Sequence, residues 1–472
     1  MFARLQRLTA ARLGEWRALL WAFLYVLALF LAYYVLRPIR DEFGASGGTR
    51  NLPWLFTATL GAMLTLTPLY GHLVKRFPRE RFIALAYRFF MLNLLVFAAL
   101  LYKGGDQVLL WTGRVFFVWL SVFNLFVVSV FWSLAVDVFD GEQGKRLFGY
   151  LAAGATLGGL LGSALVSRFS HEVSPYALLL LATLLLEVAV QAARRLSREN
   201  VRTQAAAPPA ENIGGSVWAG LHNTVRSPYL LGIAAFILLY SVTSTILYFQ
   251  QAEIVNAHYS ERAARTAFFA NIDLWVNSLT LACQLLLTGQ LARRLGVIAV
   301  LIILPLTGAI GFAALALTPT VAVFVAVQVA RRVSNFALAR PAREILYTRL
   351  SREDRYKAKN FINTVVYRSG DQIGSWGYAG LQALHLGLAQ IAWLAVPLCL
   401  AWAGLSVCGW ESHLPNPRAR VRHENKASPQ RRYLPDDVPA GRHQPATSVF
   451  MTNRKPTLWR NPALTPPGGF RR

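Results

Sequence analysis

The sequence predicts an all-α membrane protein whose twelve transmembrane helices form two six-helix halves. Three observations favour this fold class. Hydrophobic residues occupy 55% of the 472 positions and charged residues only 15%, whereas soluble domains carry about 25% charged residues. Twelve apolar runs each approach the 20 or so residues that a helix needs to cross a bilayer. A short loop pattern also recurs half a chain later, as an internal duplication would produce.

The predicted spans must be helical, because lipid offers an open backbone no hydrogen-bond partners. They lie at about 17–36, 54–73, 82–101, 110–136, 148–167, 176–193, 229–249, 267–289, 296–317, 320–339, 361–383 and 386–410. Residues 1–193 are predicted to form the first half and residues 229–410 the second half. A cytoplasmic linker, 194–228, joins them.

The repeated loop follows the second span of each half. Its copies, Gly71–Phe77 and Gly289–Leu295, both read Gly-polar-Leu-apolar-basic-Arg-apolar, and they begin 218 positions apart. The pair resembles the loop signature of the major facilitator superfamily, which implies a facilitator-like fold. Lys75 departs from this signature, because the first copy in that family usually has Asp there.

Basic residues concentrate in the loops on one side of the predicted membrane. The main groups are Arg4, Arg7 and Arg12; Lys75, Arg76, Arg79 and Arg81; Lys145 and Arg146; Arg194, Arg195, Arg198 and Arg202; Arg293 and Arg294; and Arg349, Arg352, Arg355, Lys357 and Lys359. Because such loops stay in the cytoplasm, both termini are predicted to be cytoplasmic, in an inner membrane of bacterial type. The net charge of +25 then reflects orientation, and we expect no nucleic-acid binding because the basic residues form no soluble module.

The C-terminal segment 411–472 differs from the rest of the chain. It is rich in Pro, Arg and Asn and shows no hydrophobic period, which is typical of a disordered tail. Two interpretations remain open. The tail either contacts anionic lipid headgroups through its basic residues or is a solvated segment without function.

Enzyme and cofactor motifs are missing from the sequence. No Gly-x-x-x-x-Gly-Lys-Ser/Thr phosphate loop occurs, and no nucleophile elbow is present. Cys283, Cys399 and Cys408 lie in apolar runs without metal-ligand or disulfide spacing. We therefore expect no enzymatic activity, no cofactor and no metal.

The end of the first span carries the first candidate site. Arg37 and Asp41 are four residues apart and can pair on one helix face, while Arg40 shares a face with Arg37 if the helix continues past Pro38. A charge inside a span costs about 2.5–3.5 kcal/mol. Two interpretations remain open: a basic site facing a central cavity, or charges at the outer mouth that reach the interface.

Three stretches resemble the nucleotide translocases, the ATP/ADP exchangers of plastids and intracellular bacteria. Leu36–Asp41 is similar to the Leu-Arg-x-x-Lys-Asp stretch of that family, Phe131–Asp137 to its Phe-Trp run, and Arg343–Tyr347 to its Lys-Glu-x-x-Tyr stretch. The resemblance covers about residues 17–400. It implies that Arg37, Arg40, Arg343 and Tyr347 contact an anionic substrate and that Glu344 belongs to an ion pair.

The chain departs from this family at several positions. Arginine replaces lysine at Arg40 and Arg343, and Asp371 stands where the family usually has Lys. The family also has an acidic residue late in its seventh span, whereas the stretch Tyr240–Thr245 contains no carboxylate. The resemblance therefore implies the fold and an anionic substrate more directly than ATP/ADP exchange itself.

Two further sites of charge lie inside predicted spans. Arg368 and Asp371 are three residues apart and can pair on one helix face, either as a self-neutralised structural pair or as a pair that substrate opens. Asp273 has no basic residue within one helical turn. It either carries a coupling proton or bonds the nearby Asn271 and Asn277.

Small residues recur at four-residue spacing in two predicted spans. Gly154 and Gly158 lie in the fifth span, and Gly370 and Gly374 in the eleventh. Because this spacing permits close helix approach, we expect these glycines to pack the two halves against each other.

These observations predict a secondary transporter that moves a small organic or phosphorylated anion by alternating access. Its mode is either exchange, with nucleotide exchange as one form, or proton-coupled movement. The expected partners are this small anionic molecule and the lipid bilayer, and we expect a monomer. The predicted substrate contacts are Arg37, Arg40, Arg343, Tyr347 and Arg368, and the predicted ion-pair or coupling residues are Asp41, Asp273, Glu344 and Asp371. Two alternatives remain: a proton-coupled exporter of hydrophobic or cationic compounds that uses Asp273, and a non-transporting scaffold or sensor.

Overall fold

The structure is a computed structural model that describes residues 15–76, 79–139, 141–203, 218–347, 350 and 358–408. All regular structure in these residues is helical. The tail 411–472, with the predictions made for it, and the middle of the predicted linker, 204–217, lie outside the described residues.

The first half consists of six long helices. They are α1 (Trp16–Ser46), α2 (Leu52–Arg76), α3 (Arg79–Lys103), α4 (Asp106–Val138), α5 (Gly141–Phe169) and α6 (Pro175–Thr203). We call the side on which α1 begins the proximal side and the side on which it ends the distal side.

The second half follows a short helix, α7 (Trp218–Arg226). Its helices are α8 (Pro228–His258), α9 (Arg262–Leu286), α10 (Thr288–Leu317), α11 (Val321–Val333), α12 (Arg340–Tyr347), α13 (Tyr367–Ala383) and α14 (Leu388–Cys408). A π-helical segment, Ser334–Ala339, joins α11 to α12, and a second, Ile362–Val366, precedes α13. Every predicted span therefore coincides with a helix or with such a joined pair, which confirms the predicted fold class.

Nine helices of the described chain are long and apolar enough to cross a membrane. The other three spans are explained by their residues. The described side chains of α2 form a shorter apolar stretch, Leu52–Leu66. Helices α9 and α13 instead carry charged residues that the sequence marked as candidate sites, Asp273 in α9 and Arg368 with Asp371 in α13. These charges lower the hydropathy of the two helices.

Two helices extend further than the apolar runs predict. Helix α1 continues through Pro38 to Ser46, because its buried charged residues find partners inside the protein and do not need to reach water. The partly buried ion pairs of Arg37 and Arg40 favour the interpretation of a basic site inside the protein. Helix α8 continues to His258, which places Glu253 late in the seventh span.

Each half has its own apolar core. One cluster joins α1, α3, α4, α5 and α6 of the first half. Another, which includes Phe236 and Trp402, lies within the second half on its proximal side. A third cluster adds Leu52 and Phe117 of the first half to residues of the second half, so the halves also share apolar contacts near the distal side.

The glycine pairs pack helices within each half. A Cβ at Gly158 would lie 2.5 Å from the carbonyl oxygen of Leu27 in α1, and one at Gly374 would lie 2.9 Å from that of Val242 in α8. The expectation that these glycines join the two halves is therefore wrong. They allow α5 to approach α1 and α13 to approach α8, which positions the charged residues of these helices.

Candidate substrate site

A buried carboxylate joins the two halves inside the helical bundle. Asp273 of α9 is only 2% exposed. Its Oδ1 lies 3.1 Å from Arg37 Nη1 in α1 and accepts a 2.6 Å hydrogen bond from Arg332 Nη2 in α11. We call these three residues the central bridge. The sequence shows no basic residue within one helical turn of Asp273, because both arginines lie on other helices.

A second carboxylate extends the central bridge toward the distal side. Arg40 Nη2 donates a 2.5 Å hydrogen bond to Asp41 Oδ1, and Arg37 Nε lies 3.8 Å from Asp41 Oδ2. The predicted pairing of Arg37 with Asp41 is thus present, although Arg40 is the closer partner. Tyr248 of the second half donates to Asp41 Oδ1 at 3.2 Å, so Asp41 also links the halves.

Arg331 stands next to the central bridge and has no carboxylate partner among the described residues. Its side chain is 3% exposed, and its Nη2 donates a 2.9 Å hydrogen bond to Ser244 Oγ. Its Nε and Nη1 are buried and have no hydrogen-bond partner within the described chain. Burying a charge costs several kcal/mol per ion unless other groups compensate, so this arginine requires an explanation.

Aromatic and amide groups surround the Arg331 guanidinium. Its Cζ lies 5.5 Å from the centroid of the Tyr240 ring, and the Tyr240 hydroxyl accepts a 2.9 Å hydrogen bond from Asn335 Nδ2. The Tyr367 ring lies 6.1 Å from that of Tyr240. Asn335 Oδ1 is buried and lacks a partner among the described residues, so an unused acceptor lies beside the unused donors.

Arg368 and Asp371 form the predicted pair on α13. Arg368 Nη1 donates to Asp371 Oδ2 at 2.9 Å. Asp371 Oδ1 accepts hydrogen bonds from Ser241 at 2.5 Å and from Thr245 at 3.2 Å. The Arg368 guanidinium also lies 5.7 Å from the Tyr367 ring, which connects this pair to Arg331 through two tyrosines. We call Arg331, Tyr240, Asn335, Tyr367 and Arg368 the arginine–tyrosine cluster.

Both π-helical segments adjoin this cluster. The segment Ser334–Ala339 begins three residues after Arg331, at the end of α11, and contains Asn335. The segment Ile362–Val366 immediately precedes Tyr367. A π-helical turn rotates the following side chains relative to a regular α-helix and occurs often at functional sites. The two π-helical segments therefore orient polar side chains of α11 and α13 toward the arginine–tyrosine cluster.

The site as a whole carries more positive than negative charge. Five arginines belong to it and only three carboxylates: Arg37, Arg40, Arg331, Arg332 and Arg368, against Asp41, Asp273 and Asp371. The surplus of two positive charges lies in a place that water reaches poorly. An anion could therefore bind there as the missing partner.

The third group of predicted residues lies apart from this site. Arg343 follows Arg332 by eleven positions, or about 16 Å along a helical axis. Glu344 accepts a 2.5 Å hydrogen bond from Lys359 Nζ, and the same Lys359 lies 5.5 Å from the Tyr347 ring. The structure therefore places Arg343, Glu344 and Tyr347 at the proximal end of the tenth span rather than beside Arg37.

Glu253 is an acidic residue that the sequence prediction placed outside the seventh span. Its Oε2 accepts a 2.7 Å hydrogen bond from Tyr378 and a 3.4 Å hydrogen bond from Gln382 Nε2. Neither partner is basic. The stretch Tyr240–Thr245 contains no carboxylate, but Glu253 lies eight positions further along the same helix, because the helix is longer than its apolar run.

The two halves are tied together at the distal ends of their helices. Glu42, which is buried, accepts hydrogen bonds from Arg265 Nη2 at 3.0 Å and from Arg262 Nη2 at 3.3 Å. Thr57 donates to Gln372 Oε1 at 2.9 Å. Asn256, Ser167 and Asn271 make further hydrogen bonds across the same boundary. We call the Glu42 interaction the distal latch.

Arg331 and Arg332 were not among the site residues predicted from the sequence. Both lie well inside the predicted span 320–339, where a charged side chain is costly and usually functional. The same rule identified Arg37 and Asp273, so this signal was available. The sequence does not show how the helices pack. It therefore could not reveal that Arg332 pairs with Asp273 or that Arg331 lacks such a partner within the described chain.

The central bridge and the distal latch join two halves that are built from membrane-length helices. A family model described as Major Facilitator Superfamily matches residues 18–375. The chain therefore belongs to the major facilitator superfamily, and it is a transporter of that superfamily. This confirms the resemblance of the duplicated loop.

The curated relatives that match are nucleotide carriers. The chain is 22% identical to ADP,ATP carrier protein 2 of Chlamydia pneumoniae, over 79% of this chain and 86% of that carrier. It is 23% identical to ADP,ATP carrier protein 1 of Chlamydia trachomatis serovar D, over 61% of this chain and 62% of that carrier. These matches confirm the resemblance to the nucleotide translocases.

Solved transporter structures share the fold. A POT family transporter in complex with a thioalcohol-conjugated peptide has a TM-score of 0.60 at 10% identity, covering 83% of this chain and 95% of its own. The nucleoside transporter NupG has a TM-score of 0.51 at 14% identity, covering 84% of this chain and 97% of its own. At these identities the likeness concerns the fold alone.

Proposed function

We propose that this transporter exchanges a phosphorylated organic anion, a nucleotide, across the membrane by alternating access. The observation that carries this proposal is Arg331, whose buried guanidinium has two nitrogens without a partner in the described chain. A phosphate oxygen pair fits the fork of a guanidinium and supplies the charge that is missing. The ADP,ATP carriers among the relatives support the choice of a nucleotide.

The arginine–tyrosine cluster supplies groups for the remainder of such a substrate. The rings of Tyr240 and Tyr367 stand beside Arg331 and Arg368, and Asn335 Oδ1 is an unused acceptor. A nucleobase presents a flat face for aromatic contact and an exocyclic amine for an acceptor. The cluster thus offers contacts for the phosphate and for the base of a nucleotide.

The contacts between the halves indicate the side from which substrate reaches the arginine–tyrosine cluster. The distal latch and the Thr57 hydrogen bond hold the distal ends together, so we infer that substrate enters this conformation from the proximal side. The basic loops favour a cytoplasmic proximal side. Alkaline phosphatase inserted after Gly48 should then be active on the outer face, and an inactive insertion would reverse the orientation.

A transport assay tests the proposal. Purified protein in liposomes that are loaded with ADP should take up labelled ATP, and empty liposomes should not. Arg331→Gln should lower the exchange rate by about a hundredfold, because two charge-assisted hydrogen bonds to phosphate are lost. Arg195→Gln removes the same charge from an exposed position on α6 and should leave the rate unchanged.

The same assay separates the alternatives. Uptake driven by a pH gradient without internal nucleotide would support a proton-coupled exporter and contradict exchange. That alternative depends on Asp273, which two arginines hold, so a proton would have to displace both of them. The absence of any flux would support a scaffold or sensor instead.

A further inference from the structure

A long apolar groove lies on the first half, between α2, α3 and α4. Its volume is about 1040 Å³. Leu85, Phe89 and Val115 line it and are each more than half exposed, so the groove opens onto the surface that faces lipid. One face of α2 lines it from Trp54 to Leu66, a length of about 18 Å at 1.5 Å per residue.

Arg114 is the single charged residue among the described residues that line this groove. Its guanidinium lies 4.8 Å from the centroid of the Trp111 ring. No carboxylate of the described chain lies within ion-pair distance of it. The groove is therefore apolar along its length and cationic near one end.

The position of Arg114 along α4 matches the level of lipid headgroups. Arg114 follows Asp106, the first residue of α4, by eight positions, or about 12 Å. Helix α4 has 33 residues and is therefore about 50 Å long, whereas the hydrocarbon core is about 30 Å thick. Arg114 consequently lies close to the distal edge of the core.

We propose that this groove binds one anionic phospholipid of the distal leaflet. Its phosphate contacts Arg114, and one acyl chain runs along α2 toward Leu66. The guanidinium fork matches phosphate oxygens, and an unpartnered positive charge favours a headgroup with net negative charge. The groove exceeds the depth of one leaflet, about 15 Å, so it accepts an acyl chain over its full length.

The bound lipid would act on the contact between the halves. Trp54 lines the groove, and its ring lies 5.0 Å from that of Trp376 on α13 in an edge-to-face arrangement. Trp376 Nε1 also donates a 3.1 Å hydrogen bond to Thr57 on α2. A lipid that fills the groove supports α2 in the position where it contacts α13. This site is separate from the proposed substrate site.

Native mass spectrometry of the full-length protein in detergent tests the proposal. The probes are palmitoyl-oleoyl phosphatidylglycerol, which is anionic, and palmitoyl-oleoyl phosphatidylcholine, which is zwitterionic. The protein should retain one phosphatidylglycerol in preference to phosphatidylcholine. Arg114→Gln should weaken phosphatidylglycerol retention about tenfold, the loss expected for one charge-assisted contact. Lys103→Gln, a matched change at the distal end of α3 outside the groove, should leave retention unchanged.

A second variant tests the groove without changing charge. Ala58→Trp places an indole in the groove from an exposed position on α2 and should weaken retention of both lipids. Equal phosphatidylglycerol retention by the unmodified protein and Arg114→Gln would overturn the proposal, as would equal retention of the two lipids by the unmodified protein. Binding of detergent alone, or a dimer that Ala58→Trp dissociates, would also overturn it.

Discussion

Arg331 and Arg332 are neighbours in the sequence, yet they occupy opposite electrostatic environments. Arg332 donates to Asp273 at 2.6 Å, within the central bridge that holds the two halves together. Arg331, at the adjacent position, contacts the Ser244 hydroxyl and the Tyr240 ring. Two of its buried nitrogens have no hydrogen-bond partner within the described chain. The comparison teaches that loss of Asp273 would leave the charge of Arg332 uncompensated, whereas the charge of Arg331 already lacks compensation within the described chain. This difference is the reason for our proposal that Arg331 binds a ligand.

The largest expected effect is a loss of thermal stability when the central bridge around Arg332 is broken. Asp273→Asn removes the carboxylate that both Arg37 and Arg332 contact. Leaving buried charges without compensation costs about 3–5 kcal/mol, so we expect a large loss of thermal stability in detergent. Thermal unfolding of the purified variant measures it.

Two controls sharpen this prediction. Asp106→Asn changes the first residue of α4 and should shift the unfolding temperature only slightly. The double variant Asp273→Asn with Arg332→Gln removes one of the stranded charges and should recover part of the loss. A single variant as stable as the unmodified protein would show that the central bridge does not stabilise the fold.

The next effect comes from turning a paired arginine into an unpaired one. Asp371→Asn leaves Arg368 without its ionised partner and adds one positive charge to the site. We expect the affinity for nucleotide to rise about tenfold. A unit charge about 10 Å from the bound phosphate is worth one to two kcal/mol at an effective dielectric constant of about 20. Titration calorimetry with ADP measures this affinity. A weaker affinity would mean that Asp371 positions the substrate site instead of limiting its charge.

The smallest effect concerns the distal latch. Glu42→Gln weakens the contacts with Arg262 and Arg265, so the distal side should open more often. Maleimide labelling of a cysteine introduced at Gln372, in a background without the native cysteines, should accelerate about two- to fivefold, as expected for an ion pair worth about 0.5–1 kcal/mol. Glu172→Gln, which removes an exposed pair with Arg168 in one half, should not change labelling. Equal rates for both variants would argue against a latch.

The fold was predictable because bilayer thickness and backbone hydrogen bonding leave few choices. Apolar runs of the right length identified every span, and a duplicated loop identified the two halves. The ends of α1 and α8 were not predictable, because hydropathy stops at Arg37 and before Glu253 while the helices continue. Partners inside the protein decide where such helices end.

The site was predictable only in part. The cost of charge in lipid correctly marked Arg37, Asp273 and Arg368 as residues that need partners. Local spacing found the pair of Arg368 with Asp371, because both lie on one helix. It could not find the pairing of Asp273 with Arg37, which depends on how α9 packs against α1. The role of each residue in binding stays a prediction.

One paired measurement tests the central claim most directly: thermal stability and ADP affinity of Arg331→Leu beside those of Arg332→Leu. If Arg331 awaits a ligand, Arg331→Leu should be at least as stable as the unmodified protein, because an uncompensated buried charge is removed, and ADP should bind at least about a hundredfold more weakly. Arg332→Leu should instead unfold at a lower temperature. Unchanged ADP affinity in Arg331→Leu, or an equal loss of stability in both variants, would contradict the account.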